Sequence, residues 1–89
     1  MQVHVERGVN ATEMDDGGLI LLCERTGKFH RSNGSGAAMW TALASQDGDP
    51  DRAAAVIADK YQIDADRARF DLNQFIEQLR EARLVRVES

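Results

Sequence analysis

Apolar and polar residues alternate at the start of the chain, run together in its first half, and recur at helical spacing through the second. Val3-His4-Val5 alternates over a segment short enough for an edge strand. Arg7 to Thr12 follows neither period and reads as a loop. After the turn Asp16-Gly17-Gly18 comes Leu19-Ile20-Leu21-Leu22-Cys23, a continuous apolar run too short for a helix and bounded by turn residues, which predicts a buried strand. Both faces of that strand are apolar, so its second face needs a cover besides the helices, either the N-terminal strand or a partner. Arg25-Thr26-Gly27 supplies a hairpin turn, and Lys28 to Arg31 returns as the next strand with Phe29 pointing opposite to His30.

Three helices are predicted next. Ser35 is placed to cap the first, whose small residues Gly36, Ala37 and Ala38 allow close approach to the sheet while Trp40 and Leu43 supply bulk. Asp49-Pro50 is a cap followed by proline at the first helical position, which starts a second helix through Val56, Ile57 and Tyr61. Asp64 starts the third, with Ile63 and Ala68 spaced as a hydrophobic staple across the cap. Along it Ala68, Leu72, Phe75, Leu79 and Ala82 recur at steps of four and three, with Ile76 widening the stripe and Phe70 nearly opposite it. Arg80 and Arg83 complement the carbonyl end of this helix, and Leu84-Val85-Arg86-Val87 alternates again as a possible short strand. Three short strands followed by three helices predict an α+β fold, a winged helix-turn-helix with a three-stranded antiparallel sheet, forming one domain over residues 1–89.

With 89 residues, such a domain buries roughly 60 to 65% of its unfolded surface, which leaves little room for a large active-site cleft. The composition, 43% hydrophobic and 29% charged with one proline, is that of a folded globular protein. A net charge of −4 argues against a partner held mainly through phosphates. Lys28, His30 and Arg31 nevertheless cluster on one predicted strand, a basic rim suited to an acidic peptide. A lone cysteine, Cys23, makes no internal disulfide and fits a reducing compartment. No apolar run nears the roughly 18 residues that span a bilayer, and the N-terminus lacks a signal-peptide pattern, so a cytoplasmic location is expected.

Recognisable catalytic chemistry is missing from the sequence. His4, His30 and Cys23 are the soft metal-ligand candidates and lack the paired spacing of a zinc site. Asp15-Asp16 before Gly17-Gly18 is turn chemistry, and Gly34-Ser35-Gly36 lacks the lysine and glycine spacing of a phosphate loop. The expectation is a binding protein with no catalytic residue, metal or cofactor.

The stretch Thr26-Gly27-Lys28-Phe29-His30-Arg31-Ser32-Asn33, then Ala38-Met39-Trp40, and finally Asp71-Leu72, Phe75-Ile76, Leu79 and Leu84, resembles the PqqD-like family of RiPP recognition elements. The resemblance runs from about Leu19 to Leu84. The chain departs from the family pattern at Ser32, Leu72 and Arg83, where leucine, valine and glycine are usual. It implies a protein that binds the leader of a ribosomally made precursor peptide as a strand added beside the third strand, with the third helix as the other wall. Carried onto this sequence, the strand wall is Lys28, Phe29, His30 and Arg31. The helix wall is the flank Arg67, Asp71, Gln74 and Gln78, with Phe29, Leu72 and Phe75 lining side-chain pockets. The alternative wall on the other flank is Arg69, Ile76 and Arg80, and Arg67 and Asp71 are also spaced to pair with each other. The implied partners are the leader peptide and a separate modifying enzyme, a lasso-peptide leader peptidase first and a radical S-adenosylmethionine enzyme of quinone-cofactor synthesis next. No nucleic acid or membrane partner is expected, and the oligomeric state stays open.

Two other readings remain. A winged-helix DNA-binding regulator would use the third helix, whose arginines are mixed with Asp66, Asp71, Glu77 and Glu81. A dimeric protein-interaction adaptor would use the second face of Leu19 to Cys23.

Overall fold

The computed structural model describes residues 1–88. Its elements are strands β1 (Gln2–Val5), β2 (Val9–Glu13), β3 (Leu19–Cys23) and β4 (Phe29–Ser32), helices α1 (Gly34–Ser45), α2 (Pro50–Tyr61) and α3 (Ala65–Glu81), and strand β5 (Val85–Glu88). The fold is α+β, with a three-stranded antiparallel sheet ordered β2-β3-β4, three helices and a separate two-stranded sheet of β1 with β5.

The main departure from expectation lies in the sheet. Val9 to Thr12, read as loop, form β2 together with Glu13, and this strand pairs with β3 from Val9 opposite Cys23 to Glu13 opposite Leu19. Its exposure explains why periodicity missed it: Asn10 to Glu13 are all exposed, so no apolar alternation marks the strand. The expected first strand, β1, joins instead with the C-terminal strand, Val3 opposite Val87 and Val5 opposite Val85. Pairing also corrects the two-sided apolar reading of β3. Leu19, Leu21 and Cys23 are buried while Leu22 is 40% exposed, so this strand has one core face despite its uniform composition.

Helix α1 is capped by Asn33 rather than Ser35. Asn33 is extended, and its Oδ1 accepts from the Gly36 N–H at 3.1 Å and from Ser35 Oγ at 2.7 Å. Gly36 lets the helix press on β4, since a Cβ there would lie 2.4 Å from Ser32 Cβ. At α2, Asp49 Oδ1 accepts from the N–H groups of Asp51 and Arg52 at 2.9 and 3.3 Å, with Pro50 at the first helical position as the sequence predicts.

Helix α3 buries Ala68, Leu72, Phe75, Ile76 and Leu79, the predicted stripe, and leaves Phe70 exposed on the other side. Asp64 makes no side-chain cap, and Ile63, read as half of a staple, remains 36% exposed. At the other end Arg83 N–H donates to Arg80 O and Leu84 N–H to Leu79 O, the two reverse bonds of a Schellman turn, with Arg83 in the left-handed region at φ 60°. That turn drops Leu84 and Val85 into the core and starts β5. These residues complete a core with Val3, Leu19, Leu21, Cys23, Leu43 and Ile57.

Candidate functional site

Strand β4 is an outer strand of its sheet, paired with β3 on one side only. Cys23 N–H donates to Lys28 O at 2.9 Å, and Leu21 and Leu19 stand opposite His30 and Ser32. Antiparallel ladders alternate, so the main chains of His30 and Ser32 turn toward β3, and those of Phe29 and Arg31 turn toward the free edge. Side chains alternate on the other axis. His30 and Ser32 share the face of buried Leu21 and Leu19, whereas Phe29 and Arg31 share the outer face with Leu22 and Ile20.

A groove of about 590 Å³ lies along this edge between β4 and α3. Helical spacing places Arg67, Asp71, Gln74 and Gln78 in one line along its α3 wall, and His30, Arg31 and Ser32 border it from β4. Phe75 forms part of the floor, meeting His30 edge to face with ring centroids 5.9 Å apart. The other flank of α3 is committed elsewhere: Ile76 is buried, Arg69 Nε reaches Asp51 Oδ1 at 3.1 Å, and Arg80 Nε donates to Glu77 Oε2 at 3.0 Å.

Three of the residues expected at the site sit differently. Leu72 is fully buried in the core, because it lies on the centre of the α3 stripe. Phe29 is 66% exposed on the outer face of the sheet, because its register opposite Leu22 turns it away from His30. Lys28 precedes β4, its N–H donating to Thr26 Oγ1 at 3.2 Å within the turn.

Two groups of groove residues escaped the sequence reading. Ser32, Asn33, Ser35 and Gly36 close one end where β4 enters α1, and Met39, Ile57, Tyr61 and Ile63 make an apolar shelf from α1 and the end of α2. The one advance signal was Tyr61 and Ile63 flanking the α2–α3 turn, more apolar surface than a turn needs. Ser32 Oγ is enclosed and finds no hydrogen-bond partner among the described residues.

Charge in the groove is nearly balanced. Arg67 Nε lies 3.2 Å from Asp71 Oδ2, an exposed pair worth a few tenths of a kcal/mol at about i, i+4 spacing. Arg31 has no ion-pair partner among the described residues. Burial holds the His30 imidazole below its ordinary pKa, so the groove presents a neutral ring near pH 7. Among the described residues no cluster of three or more His, Cys, Asp or Glu is placed to hold a metal ion, and no helix is long and apolar enough to cross a membrane.

Two solved structures share the fold. "TbiB1 in Complex with the TbiA(beta) Leader Peptide" superposes with a TM-score of 0.83 at 22% identity, covering 97% of this chain and 98% of that one. "Lasso peptide synthetase B1 complexed with the leader peptide" gives 0.82 at 18% identity, covering 98% and 100%. No curated protein sequence matches significantly. The family model for coenzyme PQQ synthesis protein D (PqqD) matches residues 18–85, from the turn before β3 to the start of β5, and the chain therefore belongs to the PqqD family.

Proposed function

We propose that this protein binds the leader segment of a ribosomally made precursor peptide as a strand added to β4, and presents it to a separate modifying enzyme. The observation that carries the reading is the free edge of β4 beside a groove walled by α3. Main-chain groups of Phe29 and Arg31 face that edge, and an extended segment would bond to them while its alternate side chains enter the groove. Within the groove, His30, Phe75 and the shelf of Met39, Ile57 and Tyr61 would take apolar side chains, and Arg67, Asp71, Gln74 and Gln78 would meet polar ones. Both structural relatives are described as complexes with leader peptides, which supports the same use here.

The role is that of a tether. Holding a leader raises the effective concentration of the attached core segment at an enzyme that binds the same complex. The resemblance to lasso-peptide proteins favours a leader peptidase as that enzyme, with a radical enzyme of quinone-cofactor synthesis next. A DNA-binding role draws no support from α3. Its three arginines are each tied to an acidic side chain of the chain itself, whereas phosphate binding needs cations free to displace counterions.

The test is fluorescence anisotropy with labelled leader of the precursor encoded beside this gene and a labelled DNA duplex as control. Saturable leader binding that survives moderate salt is expected. Salt-sensitive duplex binding without leader binding would refute the proposal.

A further inference from the structure

The outer face of the three-stranded sheet, turned away from the buried side of β3, carries Leu22 and Ile20 with Phe29 and Arg31 opposite them. Phe29 is 66% and Leu22 40% exposed, so a directly opposed apolar pair stands in solvent at the end of the sheet. Arg31, beside it on the same strand, has no ion-pair partner among the described residues. A guard against random strand pairing explains the arginine but not the large aromatic next to it, since exposed aromatics on an edge strand promote association.

The register connects the two. A strand added to β4 places alternate residues on this outer face, directly across from Phe29 and Arg31 and within side-chain contact at roughly 4.5 to 5.5 Å between Cβ atoms. The residue between them stands across from His30 and points into the groove. Resting on the leader-binding reading above, we infer that the leader is read on both faces of the added strand: an acidic residue pairs with Arg31, and an aromatic or β-branched residue packs on Phe29. Every strand pairing among the described residues is antiparallel. An antiparallel leader therefore carries the acidic residue two positions before the apolar one, with a groove-directed side chain between them.

The experiment measures anisotropy of the neighbouring precursor's leader with wild-type protein, Phe29→Ala, Phe29→Tyr, Arg31→Glu and Arg31→Ala. Both positions are exposed, so thermal melts of the variants should match wild type. Phe29→Ala and Arg31→Glu are each expected to weaken binding by roughly fivefold or more, with Phe29→Tyr near wild type. A leader whose acidic residue is changed to lysine should bind Arg31→Glu better than it binds wild type. If the leader binds wild type but Phe29→Ala and Arg31→Glu both stay within about twofold, the outer-face reading is overturned while leader binding stands. If wild type itself fails to bind the leader, both fall together.

Discussion

The rings of His30 and Phe75 meet edge to face, with centroids 5.9 Å apart and planes inclined at 73°. This contact joins the strand wall of the groove to its helix wall, and it places a titratable group against a residue that is only 4% exposed. The floor of the groove is thus continuous with the hydrophobic core, whereas its rim is polar and exposed. Substitutions along α3 should divide accordingly.

Phe75→Ala is expected to cost about 3 kcal/mol of stability, and Leu72→Ala about 2 to 4 kcal/mol, through lost burial and residual cavities. Asp71→Ala, half-buried on the polar rim, and Gln78→Ala, exposed beside it, should stay within about 0.5 kcal/mol while weakening leader binding. Urea unfolding of the four variants, paired with anisotropy, checks this. A Leu72→Ala protein of near wild-type stability would contradict the burial assigned to that residue.

Stability should also depend on pH through His30. Burial lowers its folded pKa below the ordinary value of 6.5. Above that value the ring is neutral in both states and adds no pH dependence. As the pH falls from 6.5 toward the folded pKa, the unfolded chain takes up a proton that the folded chain refuses, so stability declines. His30→Gln should flatten this part of the profile. The difference between wild type and variant isolates His30 from His4 and the carboxylates, and identical slopes for the two proteins would be the contrary result.

Proline at position 31 removes a main-chain N–H that faces the free edge and leaves the β3–β4 ladder bonds of His30 and Ser32 in place. Arg31→Pro should therefore abolish or weaken leader binding by about tenfold beyond the effect of Arg31→Ala, with a modest change in melting temperature. Equal affinity of the proline and alanine variants would count against strand addition at β4.

Arg83 occupies the left-handed turn that closes α3, at φ 60°. Glycine adopts that geometry without a Cβ penalty, which outweighs its greater freedom in the unfolded chain at such positions. Arg83→Gly should raise stability by about 0.5 kcal/mol, read as a higher urea midpoint with an unchanged slope.

Much of this architecture is written locally in the chain. The Asp49-Pro50 start of α2, the α3 stripe from Ala68 through Leu79 and the buried strand at Leu19 to Cys23 follow from capping chemistry and from the spacing of apolar residues, which depend on neighbours a few positions away. That Arg67, Asp71, Gln74 and Gln78 share one flank of α3 follows from helical spacing, whereas the preference for that flank over Arg69, Ile76 and Arg80 came from the family resemblance. Pairing partners are a different matter. That exposed β2 completes the sheet, that β1 joins β5 at the opposite end of the chain, and that Leu22 faces solvent while Leu21 is buried are results of register, set by contacts between residues distant in sequence. The same register turned Phe29 out of the groove and His30 into it, and the docking of α2 brought Tyr61 and Ile63 to the site. Local periodicity and capping chemistry were enough to mark three helices, the buried strand at Leu19 to Cys23 and the face that α3 buries, because each depends on neighbours a few positions away. Which strand edge stays free and which side chains border it depend on long-range pairing, because a one-residue slip exchanges the two faces of the strand that shifts.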